Sequence, residues 1–493
     1  MPIRKLIFAR AYENEMAKRI LPENRPLLHL SPLVGWMNDP NGFSYYQGQY
    51  HLFYQYHPYD ITWGPMHWGH AVSKDLLHWT YLPVVMAPDN DYDSFGCFSG
   101  SALELPDGRH MLMYTGVRKV GGDADKEYQT QCLAFGDGTK YQKYRKNPVI
   151  KTDELPEGLD PYSFRDPKIW QTPDGSYRVI VGGCSPDGLG KILLYESSDL
   201  INWKFRSVLA KNDGQFGRMW ECPDLYEMDG KAFLVVSPQD MLPDGFEYQS
   251  GNGTVCMIGH LDPEGEHFTM ERHQTVDYGI DFYAPQTILS PDGRRIMIGW
   301  MQNWDSCQTD AFNKPKWFGQ MSIPREIWLK NDRLYQQPVR EIENLRKNKV
   351  EYKDVPVNGT CTLDGIEGRC VEIFLTIREE DPEKIYQKFS MWFAQDERFH
   401  TSISFRPQEA LLKINRKFSG SRRAIIHQRR CQVNSIHGEL KLRILLDRFS
   451  AEIFVGEGEQ AMSMTLYTDL SAKGISFISE GAARMDITKY DLI

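Results

Sequence analysis

No stretch of this chain approaches the roughly 20 consecutive apolar residues that cross a bilayer, so no helical membrane anchor is expected. The nine cysteines are scattered, odd in number and contain no CxxC pair, which argues against a disulfide framework and a zinc site and fits a reducing, cytoplasmic setting. Strong charge of one sign is also missing. The 57 basic and 66 acidic residues leave a net charge of −9, with no nucleic-acid footprint. The one dense basic run, RKFSGSRRAIIHQRR at 416–430, reads as a solvated strand edge or hairpin. The opening MPIRKLIFARAYENEMAK is too short in apolar residues and too polar for a secretory signal, and residues 10–21 read as a short surface helix. Asp89, Asp91 and Asp93 have the alternation of a calcium loop, but Gly100 stands where the bidentate Glu belongs. That segment reads as a loop, open to an acidic contact with a leaving group. No metal or cofactor is called for.

What the chain does have is a repeat. Five segments align on a turn glycine, at Gly48, Gly108, Gly175, Gly230 and Gly293, spaced 60, 67, 55 and 63 residues apart. Each is an apolar stretch, a Gly turn and a run rich in β-formers, which is a hairpin pattern. SKDLLHW ending at Trp79 and SSDLINW ending at Trp203 echo each other 124 residues apart, about two periods, as equivalent outer edges of two blades. Repeated antiparallel sheets at this period predict an all-β, five-bladed propeller.

Nine positions before the five glycines stand Asp39, Ser99, Asp166, Glu221 and Ala284. Equivalent starts of innermost strands converge on one funnel, so the three acids are expected to face one another. Such crowding raises at least one carboxyl pKa and provides an acid and a base in one site, as glycosidic chemistry requires. A single NDPNG is an ordinary turn sequence. Turn chemistry explains the Asp that precedes four of the five glycines, but gives no reason for an acid nine residues earlier.

WMNDPNG at 36–42, FRDP at 164–167 and WECPD at 220–224 resemble the signature motifs of the β-fructofuranosidases of glycoside hydrolase family 32. The resemblance extends through HLFYQYHPYDITWGPMHWGHAVSKDLLHW, FSGS, DFYAPQ and IGWM, over most of residues 27–340. It implies a five-bladed propeller followed by a C-terminal β-sandwich, and a retaining double displacement. By matching position, Asp39 is the implied nucleophile, Glu221 the general acid and base, and Asp166 the transition-state stabiliser. Asn38, Gln55, Trp63, Phe98, Ser99, Arg165, Tyr283 and Trp300 are the implied sugar contacts, with Trp63 and Trp300 as apolar walls and Arg165 as a cation beside the acids.

The expected organisation is an N-terminal extension at 1–26, the propeller at 27–337, a polar linker at 338–350 and a sandwich at 351–493, where short alternating runs such as CVEIFLTI and AEIFV recur. Asp447 and Glu452 in the second domain are expected to be structural. The leading substrate is sucrose or a short fructooligosaccharide, cleaved to release a terminal non-reducing β-fructofuranosyl unit. Sucrose 6-phosphate is the alternative, with Arg118, Lys191 and Arg218 as unplaced phosphate candidates. A fructosyltransferase, a pentosidase and a sugar-binding propeller without turnover are weaker fits. Partners are confined to the small sugar, with no nucleic acid or membrane, and a homo-oligomer is left open.

Overall fold

The five turn glycines all adopt left-handed backbone, with φ of 78°, 81°, 87°, 77° and 85° in chain order. A Cβ at any of them would meet nothing within 4 Å, so backbone conformation alone explains the residue type. Each closes the first hairpin of a separate sheet of four antiparallel strands, to which Trp317–Phe318 adds a fifth, parallel strand in the first sheet, in this computed structural model, which describes residues 3–121, 123–307, 316–420 and 426–493. The five innermost strands are Gly35–Tyr46, Gly96–Glu104, Phe164–Gln171, Trp220–Met228 and Tyr283–Leu289. Each touches the next in cyclic order, and the fifth touches the first, closing the propeller of blades I to V.

The two tryptophan echoes mark the same local structure. Ser73 and Ser197 each donate to the Asp two residues on, and Asp75 and Asp199 accept from the following backbone N–H groups as the chain turns into a blade's outer strand. Leu76 and Leu200 take matching left-handed angles of 67° and 68°.

Below the funnel the channel is tied shut. Gln286 of blade V donates to Gly100 O of blade II at 2.9 Å and accepts from Phe43 N of blade I at 3.2 Å. Lys168 of blade III bridges Asp224 of blade IV and Thr287 O of blade V.

The N-terminal helix spans Ile3–Ala17, earlier than residues 10–21. Its packing face is Leu6, Ala9, Tyr12 and Met16, a spacing of three and four residues whose first members lie in the basic opening of the chain. The propeller's last strand ends at Pro338, a 3₁₀ turn covers Arg340–Leu345, and a strand begins at Arg346, inside the run read as linker. The second domain is a sandwich-like ten-stranded sheet. Its 19-residue strand Gly474–Leu492 pairs with Arg346–Cys361, Val371–Glu379 and Lys388–Gln395, joining both layers around one apolar core.

The two domains share buried charge. His29 pairs with Asp447 and Glu452, each at 2.8 Å, and Arg325 pairs with Glu452 at 2.5 Å and Asp277 at 3.0 Å. Asp447 also accepts from the backbone N–H groups of Leu27, Leu28 and His29. Burial opposes a charge on His29, yet the two carboxylates outweigh it and raise its pKa to about 9. Asp447 and Glu452 are structural, as their sequence context suggests. The basic run is less uniform than a solvated edge. Gln428–Gln432 is an edge strand, residues 421–425 lie outside the described residues, but Arg416 is 2% exposed and ion-paired to Asp281 of the propeller.

Candidate active site

Every innermost strand breaks step with its neighbour near its N-terminal end. The ladders skip between Met37 and Pro40, Phe98 and Gly100, Arg165 and Lys168, Glu221 and Asp224, and Tyr283 and Gln286. Such bulges re-aim side chains and cluster at functional rims. Asp39, Ser99, Asp166 and Ala284 lie within the bulges. Glu221 is one residue ahead of its bulge, and Cys222 takes the bulge position. The shared nine-residue offset therefore does not translate into one shared ladder position. Blade IV closes its hairpin with the two-residue turn Asp229-Gly230, whereas blade III needs residues 172–176. From the first bulge residue to the turn glycine there are eight steps in blade IV, Cys222 to Gly230, and nine in blade III, Asp166 to Gly175.

That shift has a chemical consequence. Glu221 shares its ladder position with Arg165 of blade III and Tyr283 of blade V, its two neighbours around the ring. Arg165 Nε and Nη2 donate to Glu221 Oε1 at 3.0 and 2.9 Å, and Tyr283 OH donates to Oε2 at 2.6 Å. Phe98 holds the same position in blade II. Arg165 is steadied by Gln129 Oε1, which accepts from Nη1 at 3.3 Å and from Phe164 N at 2.9 Å.

Asp166 is buried in left-handed backbone at φ 66°, and Cys222 and Ala284 follow at 47° and 50°, each just before a proline. Non-glycine residues in this region carry strain of about 1–3 kcal/mol each, held by the surrounding structure. Here the holding bonds are Asp166 N to Thr115 Oγ1 at 3.0 Å and Cys222 N to Asp166 Oδ2 at 2.9 Å. The Cys222 thiol lies 3.6 Å from Asp166 Oδ2 and 3.8 Å from Asp39 Oδ2, so both carboxylates converge on it. Asp39 Oδ1 is buried, with no hydrogen-bond partner among the described residues.

The electrostatics are unbalanced: three acids face one guanidinium. Burial, then the charges of Glu221 and Asp166, push the Asp39 carboxyl well above the carboxylate range. Burial lifts Asp166 to about 6 with help from Glu221, against the opposing pull of Arg165. For Arg165, burial works against the cation, but the nearby carboxylates prevail and its pKa rises.

The remaining sequence candidates gather at the same mouth. Asn38 and Ser99 are buried beside the acids, and Gln55 lies across the ladder from Asn38 and Asp39, donating to Cys97 O at 3.0 Å. Trp63 is 38% exposed and meets Phe98 edge-on at 5.9 Å, forming an open apolar face. Trp300 differs from its expected role as a wall: it is 0% exposed, packed between Trp36 and Trp304, so it backs the wall and does not form its surface. Sequence reasoning passed over Trp36, Cys222, Thr115, Gln129 and Trp304. The first two stand inside the quoted motifs, while Thr115, Gln129 and Trp304 have no local signal.

The family model for the glycosyl hydrolases family 32 N-terminal domain matches residues 29–338, and that for the family 32 C-terminal domain matches 341–492. The chain is 35% identical to the raffinose invertase of Escherichia coli over 464 residues, covering 92% of this chain and 91% of that one. It is 36% identical to an E. coli sucrose-6-phosphate hydrolase over 490 residues, 96% of each. The family 32 β-fructofuranosidase BmSUC1 of Bombyx mori, a mutant of which is also solved with sucrose, superposes with a TM-score of 0.84 at 36% identity, covering 98% of this chain and 97% of that one.

Proposed function

The chain belongs to glycosyl hydrolase family 32, and from that membership we propose that Asp39, Glu221 and Asp166 carry out its β-fructofuranosidase reaction on sucrose or short fructooligosaccharides. The convergence of these three acids with Arg165 and Tyr283 in one closed-bottomed funnel is the observation that supports it. Asp39 attacks the anomeric C2 of the terminal fructosyl unit. The glycosidic oxygen leaves with the proton of Glu221, and an ester bond joins C2 to Asp39. Water then attacks C2, Glu221 takes its proton, and the Asp39 carboxylate departs, giving net retention. Asp166, rigid in its strained bulge, accepts from fructose hydroxyls and holds the ring.

Crowding helps the cycle. The reaction needs a proton on Glu221 for the leaving oxygen and a charge on Asp39 for the attack. Once Asp39 is esterified its charge is gone, so the repulsion opposing a carboxylate on Glu221 falls as the step requiring a base begins. Trp63 and Phe98 offer a face for the sugar, while Asn38, Gln55 and Ser99 supply polar contacts. The scattered cysteines, with no CxxC pair among them, fit a cytoplasmic location.

A second reading, sucrose 6-phosphate as the substrate, is favoured by the full-length similarity to the E. coli sucrose-6-phosphate hydrolase. Of the cations weighed for it, Arg118 lies over the Tyr128 ring at 4.4 Å and Arg218 donates to Asp187 O at 2.5 Å. The test compares kcat/KM on sucrose and sucrose 6-phosphate, with Glu221→Gln as the blank. Equal or better use of sucrose supports the leading reading. A hundredfold preference for the phosphorylated sugar, about 2.7 kcal/mol of transition-state binding, establishes the second. Full turnover by Glu221→Gln overturns both.

A further inference from the structure

Asp281 opens the fifth blade two residues before Tyr283, and it is gripped from the other domain. Its Oδ2 accepts from Arg416 Nη1 at 2.5 Å, from Thr465 N at 2.7 Å and from Thr465 Oγ1 at 2.8 Å. Its Oδ1 accepts from Ser306 Oγ at 2.9 Å, and Ser306 sits two residues after Trp304, which packs on Trp300 and Trp36 behind the funnel. Asp281 is completely buried and Arg416 nearly so. Arg416 is itself fixed, since its Nη1 also donates to Thr465 Oγ1 and its Nε to Ile426 O.

A buried ion pair is costly to desolvate, and an apolar pair of similar size would often be as stable or more so. Its use here is geometric. Tyr283 must deliver its hydroxyl to Glu221 Oε2 at 2.6 Å, from a strand whose next residue, Ala284, is in left-handed backbone. Ala284 N donates to Ser237 Oγ at 3.0 Å and so holds the strained residue on one side of Tyr283, while Asp281 is the buried anchor on the other side. We propose that Arg416 and Asp281 form an interdomain positioning pair through which the sandwich domain sets Tyr283 against the catalytic acid. Neither residue touches the sugar. The inference rests on the assignment of Glu221 as general acid.

The test is a double-mutant cycle on sucrose hydrolysis, with thermal melting of every variant. Arg416→Met and Asp281→Asn should each lower kcat by about tenfold with KM little changed, because displacement of a catalytic group by under 1 Å suffices for such a loss. In a Tyr283→Phe background, where the hydroxyl is already gone, the same changes should cost less than about twofold. Arg416→Lys, which keeps a donor on Asp281, should recover part of kcat. A purely structural pair would lower Tm and reduce kcat equally in both backgrounds. That equality, or wild-type kcat in folded Arg416→Met or Asp281→Asn, overturns the proposal. If Arg416→Met does not fold, the isosteric Asp281→Asn is read in its place, and Thr465→Val supplies the same cycle with a single donor removed. Failure of the catalytic assignment is distinguished independently, by undiminished turnover in Glu221→Gln.

Discussion

Two clusters of buried acids in this molecule differ in how they are compensated. At the domain interface Asp277, Asp281, Asp447 and Glu452 meet Arg325, Arg416 and a protonated His29, with backbone N–H groups filling remaining acceptor sites. There burial is outweighed by the cations, and Asp447 and Glu452 are held below the carboxylate range. In the funnel Asp39, Asp166 and Glu221 share Arg165, Asp39 Oδ1 has no partner among the described residues, and the Asp39 and Asp166 carboxyls are raised. The same residue types stabilise the fold in one place and store unfavourable charge in the other. Binding sites left unsatisfied in the folded protein are what a substrate and its transition state can satisfy.

The contrast can be broken most severely by neutralising one acid in each cluster. Asp39→Asn should lower kcat on sucrose by about a thousandfold or more while leaving Tm unchanged or higher. Loss of Tm would mean that Asp39 is compensated after all. Glu452→Gln should do the opposite, costing about 3–5 kcal/mol of stability in chemical denaturation, because Arg325 and His29 lose a buried partner.

pH separates the clusters further. His29 has a folded value of about 9 against an ordinary 6.5, so its contribution is fully present below pH 6.5 and is lost as pH rises through 9. Wild-type stability should fall by on the order of 2–3 kcal/mol over that window, and His29→Gln should flatten the profile. Asp166, at about 6 against 3.8, also binds its proton more tightly when folded. Its contribution is present below pH 3.8 and lost as pH rises through 6. Asp166→Asn should therefore melt higher than wild type at pH 8, by on the order of 1–3 kcal/mol, and close to wild type at pH 4. A mutant destabilised at pH 8 would place Asp166 with the compensated acids.

The difference between the clusters also marks how far the sequence could be read. Turn glycines and inner-strand acids were legible because both are local: a left-handed turn admits few residues, and the motifs carry their acids within a few positions. The place of Glu221 between Arg165 and Tyr283 was not, since where the bulge falls along each inner strand depends on its pairing with the next strand. Trp300 stands in a motif, but its burial depends on Trp36 from the first blade as well as on Trp304 just past its own strand. Arg416 looked like one more cation in a solvated run, and its partner Asp281 lies 135 residues earlier. Compensation of buried charge is a long-range property, and periodicity does not report it.

The most direct test of the unbalanced cluster as a retaining catalytic site is the stereochemistry of transfer. Sucrose turned over in the presence of methanol should give methyl β-fructofuranoside alone, and the product should vanish with Asp39→Asn. Formation of the α-anomer, or an undiminished yield from Asp39→Asn, would contradict a covalent intermediate on Asp39.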